Sequence, residues 1–68
     1  MTFNETCEAA ALVGAYDTVR SMRNVARDCA ERYRLASLRR GQEYLRVNYN
    51  DCIRDAEYAN NVLGAYGQ

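Results

Sequence analysis

Apolar residues recur along this chain at alternating steps of four and three residues. One series runs from Leu12 to Ala36 and a second from Leu45 to Tyr66. Such spacing places the apolar side chains on one face of an α-helix, so each series predicts an amphipathic helix. The first series is Leu12, Ala15, Val19, Met22, Ala26, Cys29, Tyr33 and Ala36, and the second is Leu45, Tyr49, Cys52, Ala56, Ala59, Leu63 and Tyr66.

Residues that favour helix ends set the predicted boundaries. The segment from Thr2 to Glu5 reads Thr-Phe-Asn-Glu, the pattern of a capping box, in which the two end side chains satisfy amides at a helix start. Arg40 suits a helix C-terminus, and Gly41 suits the left-handed position that follows it. We therefore predict one helical-hairpin domain over residues 1–68, with a helix at about 4–39, a turn at about 40–42 and a helix at about 43–66.

An alternative break lies at residues 48–51, where Asn-Tyr-Asn-Asp could cap a new helix and leave a short helix between two turns. The second apolar series passes through this segment without a change of phase. The continuous helix is therefore the favoured interpretation.

The composition agrees with an all-α fold. The chain has no proline, only four glycines, and many residues that favour helices. We predict an antiparallel two-helix hairpin. A chain of 68 residues buries little apolar area, so it needs a disulfide, a metal or a second subunit for stability.

The cysteines argue against the first two of these reinforcements. Cys7, Cys29 and Cys52 are far apart, and the chain contains no CxxC pair and no histidine. No apolar leader precedes them, so we expect reduced thiols in a cytoplasm, although a bridge between two of the three stays open. Self-association is the remaining reinforcement, and a homodimer is the expected state.

The predicted first helix is longer than the second, which leaves part of its apolar face without a partner in the same chain. Residues 1–19 and 47–68 are acidic, whereas residues 20–46 are basic. Two hairpins packed antiparallel would place opposite charges side by side, which predicts a four-helix bundle. The apolar run near residues 9–13 is too short for a membrane span, which needs about 20 residues. The predicted dimer interface is Leu12, Tyr16, Val19 and Met22.

The residue combinations of common catalytic sites are not visible in the sequence. Without histidine, a general acid–base group at neutral pH lacks its usual residue, and no cysteine has a histidine or lysine neighbour in the sequence. The carboxylates are scattered, and the four glycines form no phosphate-binding loop. We therefore expect no enzyme, no metal site and no cofactor.

Binding residues are predicted on two outer surfaces. One is a face of the second helix that combines tyrosine and arginine, as protein interfaces often do. The other is the hairpin tip, where leucines lie beside arginines. Exposed tyrosines and arginines are also ordinary on helix surfaces, which is the alternative for each position. The face comprises Tyr44, Val47, Arg54 and Tyr58, and the tip comprises Leu35, Leu38 and Arg39.

All nine basic residues are arginine, which suits contacts with carboxylates or phosphates but is also explained by codon bias. The zero net charge and the acidic ends argue against nucleic acid.

The chain resembles the small helical accessory proteins with which bacteriophages disable host proteins, in particular the quorum-sensing anti-activator proteins of Pseudomonas phages. The resemblance rests on chain length, the use of arginine in place of lysine, and the two apolar series between Leu12 and Tyr66. It implies a helical dimer that sequesters a host transcriptional regulator and also acts on a pilus-assembly ATPase. It includes no residue-level motif and therefore implies no site residue.

The expected function is that of an inhibitor or adaptor that binds a host protein in the host cytoplasm. Two alternatives remain. An oligomeric sponge for a cyclic nucleotide signal would use tyrosine for stacking and arginine for phosphate contacts. A structural or assembly component would polymerise or co-purify with a large particle.

Overall fold

The described part of the chain folds into three α-helices. The computed structural model describes residues 1–40 and 44–68, and the side chains of residues 1–38 and 46–68. Helix α1 spans Phe3–Leu12, α2 spans Tyr16–Arg40 and α3 spans Tyr44–Ala65, and the described residues contain no strand. The principal extents are 42 × 19 × 15 Å. The predicted all-α class is confirmed.

The single helix predicted at about 4–39 is wrong, because the chain turns between α1 and α2. Gly14 adopts a left-handed φ of 77°. Its amide donates to the carbonyl of Ala11 at 3.0 Å, and the amide of Ala15 donates to the carbonyl of Ala10 at 2.8 Å. These two bonds form a Schellman motif, which ends a helix by satisfying its last carbonyls. The apolar series continues through this turn, so spacing alone did not reveal it.

The predicted start of the first helix is confirmed. Thr2 is the N-cap of α1, and its hydroxyl oxygen accepts a hydrogen bond from the backbone amide of Glu5 at 3.2 Å. The hydroxyl also donates to the Glu5 carboxylate at 3.1 Å. The cap therefore joins the two residues that the capping-box pattern identified.

The helix predicted at about 43–66 corresponds to α3 and is continuous, as the favoured interpretation required. Helix α3 runs from Tyr44 to Ala65 without interruption, so the alternative break at 48–51 is wrong. Gly41, where we predicted the turn, lies outside the described residues.

Helices α2 and α3 run antiparallel and are linked by side-chain contacts along their length. Arg20 donates to the side chain of Gln68 at 3.3 Å, near the start of α2 and the end of the chain. Further along α2, Arg23 donates to the side chain of Asn60 at 3.3 Å. Alanine provides most of the buried side chains between the helices. The buried residues are Cys7, Ala11, Val19, Ala26, Ala30, Ala56, Ala59 and Leu63.

Helix α1 folds back against one end of the α2–α3 pair, so the fold has three packed helices rather than two. Cys7 and Ala11 of α1 share a buried cluster with Val19 of α2 and with Ala59 and Leu63 of α3. The segment that we predicted to need a second subunit therefore finds much of its partner surface within the chain.

One residue of the predicted dimer interface, Val19, is buried within the single chain, and the interface itself stays a prediction. Val19 is 0% exposed in the single chain, so it cannot contact a second subunit while this fold is intact. Tyr16 and Met22 are half-buried and pack against the same cluster. Leu12, the first residue of the first apolar series, is 76% exposed because the turn at Gly14 directs α1 away from the axis of α2.

Candidate binding groove

Four arginines of α2 lie along one side of the helix. Arg20, Arg23, Arg27 and Arg34 follow steps of three, four and seven residues, which keeps their side chains on one helical face. The contact between Arg23 and Asn60 places this face beside α3. We call this side of the α2–α3 pair the arginine flank.

Helix α1 occupies the opposite side of the pair. The Sγ of Cys7 lies 3.9 Å from the Sδ of Met22 on α2, and the Tyr58 hydroxyl on α3 donates to Glu8 of α1 at 2.5 Å. Met22 and Tyr58 lie on the helical faces turned away from the arginine flank. The flank is therefore left uncovered by α1.

A groove opens on the arginine flank near the end of α2 and the start of α3, and we call it the turn-end groove. It encloses about 360 Å³. Each helix contributes a first residue and the residues three and four positions after it, and such positions share a helical face. Leu38 is 72% exposed and supplies apolar surface. The lining residues are Arg34, Ser37 and Leu38 of α2, and Arg46, Tyr49 and Asn50 of α3.

The charge in this groove is positive but partly compensated. Arg34 makes two hydrogen bonds to Glu31, one of them from Nε to Oε2 at 3.1 Å. The hydrogen bonds from Arg34 lower the pKa of the Glu31 carboxyl, and the same pair raises the pKa of Arg34. Both groups therefore stay charged at neutral pH. Arg46 is exposed on the other wall of the groove and adds a second cation.

A smaller depression continues the flank toward the chain ends. It encloses about 180 Å³ and is lined by Arg27, Ile53, Ala56, Glu57 and Asn60. Arg27 and Glu57 give it charges of both signs. Of these two depressions, the turn-end groove is the one lined by arginines without an acidic residue.

The residues of the binding face predicted on α3 differ in their exposure to solvent. Val47 and Arg54 are exposed, as expected of outer positions. Tyr58 is half-buried, because its ring packs against the buried cluster and its hydroxyl donates a hydrogen bond to Glu8, and its role in partner binding stays a prediction. This hydrogen bond raises the pKa of Tyr58. The side chain of Tyr44 lies outside the described residues.

The predicted tip is also divided. Leu35 and Leu38 are both exposed, but Leu38 lines the turn-end groove and Leu35 does not. The side chain of Arg39 lies outside the described residues. The predicted set therefore contributes one residue, Leu38, to the groove.

Sequence reasoning missed the other lining residues. Tyr49 belongs to the second apolar series, and its side chain is half-buried. Arg34 is one of the arginines that the sequence places beside the leucines of the tip, whereas Arg46 enters only through the charge of the basic segment. The spacing of the arginines in α2 was a readable signal, but the pairing of Arg34 with Glu31 and the opposition of Arg46 require the packed helices.

Within residues 1–40 and 44–68, no three histidine, cysteine or acidic side chains converge as metal ligands would. Across the same residues, no helix has both the length and the apolar character needed to cross a bilayer.

Comparison with known proteins adds no relative. No protein-family model matches the chain, and no curated protein or solved structure shows significant similarity to it.

Proposed function

We propose that this chain is a non-enzymatic inhibitor or adaptor that binds an acidic segment of a host protein in the turn-end groove. The observation that carries the proposal is the composition of this groove. An exposed leucine, a tyrosine ring and two guanidinium groups line one open depression.

Charge and shape complementarity favour an acidic amphipathic segment as the occupant. Leu38 and the Tyr49 ring offer apolar contact, and Arg46 offers a cation at the edge. Arginine and tyrosine are enriched among residues that dominate binding energy, and charge at the rim of an interface guides the approach of a partner. An amphipathic helix with acidic and apolar residues at helical spacing has the matching chemistry.

The non-enzymatic part of the proposal rests on the absence of histidine and of any cysteine beside a basic neighbour in the sequence. The host-protein part rests on the resemblance to phage anti-host proteins. In this proposal the chain acts in the cytoplasm of the host cell.

The test compares two arginines of α3 that differ in position. Arg46→Glu reverses a charge in the groove, whereas Arg54→Glu reverses a charge on the exposed outer face. The probe is a fluorescein-labelled helical peptide of glutamate and leucine, titrated by fluorescence anisotropy. We expect Arg46→Glu to weaken binding about tenfold or more and Arg54→Glu to change it much less. Leu38→Ala should also weaken binding, because it removes apolar contact.

The same variants identify the natural partner in a pull-down from bacterial lysate. A host protein retained by the wild type and by Arg54→Glu, but lost with Arg46→Glu, is the expected result. Equal retention by all three proteins would contradict the groove. Loss with Arg54→Glu alone would return the binding site to the outer face of α3.

A cyclic nucleotide is the second candidate ligand. Two arginines, a tyrosine and Asn50 line the turn-end groove, and these groups can contact phosphate, a base ring and base edges. Its volume falls in the range of small-molecule sites, roughly 300–1,000 Å³. A rise in Tm with a cyclic mono- or dinucleotide, lost in Arg46→Glu, would favour this function over the first.

Self-association is part of the proposed architecture. Leu12 and Val13 are both more than three-quarters exposed at the junction of α1 and α2, while Val19 of the predicted interface is buried. We therefore place the contact between two chains at Leu12 and Val13. Dimerisation into a helical bundle would bury these two side chains.

A further inference from the structure

Two of the three cysteines face each other across the α2–α3 interface. Helices α2 and α3 are antiparallel, and the contact between Arg23 and Asn60 marks their register. Further toward the end of α2, Arg34 lies in one groove with Tyr49. Cys29 lies between these two contacts on α2, and Cys52 lies between them on α3. The register therefore brings the two cysteines to the same level.

The two thiols are near neighbours. Cys29 is one of the groups that raise the pKa of the Cys52 thiol, and it can do so only from close by. Both residues lie on the inward faces of their helices, where Ala26, Ala30 and Ala56 are buried beside them. Alanine side chains allow two helix axes to approach closely, and a disulfide requires such closeness, with Cα atoms about 4.4–6.8 Å apart.

The three cysteines differ in access to solvent. Cys29 and Cys52 are half-buried, whereas Cys7 is fully buried in the cluster beneath α1. An oxidant in solution therefore reaches the facing pair before it reaches Cys7.

We propose that Cys29 and Cys52 form a reversible intramolecular disulfide that links α2 to α3 and stabilises the fold under oxidising conditions. The oxidant is a low-molecular-weight disulfide such as glutathione disulfide.

The exchange balances in two steps. The thiolate of one cysteine attacks a sulfur of glutathione disulfide, which breaks its S–S bond, forms a mixed disulfide and releases one glutathione thiolate. The second cysteine loses its proton and attacks the protein sulfur of the mixed disulfide, which forms the Cys29–Cys52 bond and releases the second glutathione thiolate. The protein loses two protons and two electrons, and the oxidant accepts the electrons.

The rate of this exchange depends on pH. Burial and the neighbouring Cys29 raise the pKa of the Cys52 thiol. A smaller fraction of Cys52 is therefore thiolate at neutral pH than of an ordinary cysteine, and bridging should accelerate as the pH is raised.

The test uses the reduced full-length chain incubated with glutathione disulfide. In denaturing mass spectrometry we expect a product with the mass of one chain less two hydrogen atoms. Trypsin cleaves after arginine, so non-reducing digestion should join the peptide of residues 28–32 to that of residues 47–54. The bridged form should melt about 10 °C or more above the reduced form, and a reductant should reverse the shift.

Single substitutions provide the controls. Cys7→Ala should still form the bridge, whereas Cys29→Ser and Cys52→Ser should accumulate only glutathione adducts. A main product that contains Cys7, or that links two chains, would overturn the proposal. A bridged form that melts at or below the reduced form would also overturn it, because the bond would then strain the fold.

Discussion

Few large side chains are fully buried in the described part of this small protein. Among the side chains of residues 1–38 and 46–68, five of the eight buried ones are alanine, and the largest fully buried ones are Leu63, Val19 and Cys7. Alanine lets the helices approach closely but contributes little apolar area. The stability of the fold should therefore be most sensitive to the few larger buried residues.

Leu63→Ala tests this dependence on large buried residues. Leu63 is 2% exposed, so its truncation leaves a cavity at the meeting point of all three helices and should cost about 2–4 kcal/mol. Leu38→Ala is the matched control, because the same atoms are removed from a side chain that is 72% exposed and lies outside the proposed contact between chains. Urea denaturation followed by circular dichroism measures both. Similar losses for the two variants would contradict the placement of the buried cluster.

The hydrogen bond between Tyr58 and Glu8 should make the folded state less stable as the pH becomes alkaline. Because this bond raises the folded-state pKa of Tyr58 above its unfolded value of about 10, its contribution is complete below pH 10. The contribution is lost as the pH rises through the folded pKa. The Tm advantage of the wild type over Tyr58→Phe should therefore shrink above about pH 10. Glu8→Gln should reduce the same dependence, and a constant advantage up to pH 11 would contradict the link.

At the scale of elements, the turn between α1 and α2 is built on one glycine. Gly14 has a left-handed φ, and the turn that it permits returns α1 to the α2–α3 pair. Glycine reaches this region without the steric cost that a Cβ imposes. Without the turn, the apolar face of α1 would continue along the axis of α2 and remain uncovered.

Gly14→Ala and Gly64→Ala form a matched pair. A Cβ at either position meets no atom within 4 Å, so backbone conformation alone separates them. Gly14→Ala should destabilise the fold by about 1–2 kcal/mol, because alanine is strained at a left-handed φ. Gly64→Ala lies within α3 and should stabilise it by about 0.5–1 kcal/mol. Equal effects in thermal and urea denaturation would contradict the Schellman turn.

At the scale of the whole molecule, the packing of α1 changes what a second subunit could cover. The apolar residues most exposed at the α1–α2 junction are Leu12 and Val13. They lie just before the start of α2, whereas the turn-end groove lies near the end of this 25-residue helix. Self-association and partner binding therefore use separate surfaces in the proposed architecture.

The double substitution Leu12→Ser with Val13→Ser tests the proposed contact between chains. Light scattering across micromolar concentrations should give a dimer mass for the wild type and a single-chain mass for the variant, with the helical circular dichroism retained. The variant should still bind the acidic peptide probe. A wild type that stays a compact monomer would refute the dimer, and an unchanged dimer in the variant would refute its location.

Local physical chemistry in the sequence determined the helical class, the start of α1 and the continuity of α3. Thr2 is the N-cap of α1, and its hydroxyl oxygen accepts a hydrogen bond from the backbone amide of Glu5. This contact is local, because the two residues are only three positions apart. The buried positions of Ala26, Ala56, Ala59 and Leu63 also follow from helical spacing, because the period of the helix sets which side chains share a face.

The tertiary structure alone decided the positions that depend on contacts between distant segments. The turn at Gly14 competes with an apolar series that continues through it, and the docking of α1 settles that competition. Docking also buries Val19, draws Tyr58 toward Glu8 and exposes Leu12. The turn-end groove exists because α2 and α3 pack in one register. Helical spacing predicts the faces of each helix, but it does not specify which faces meet.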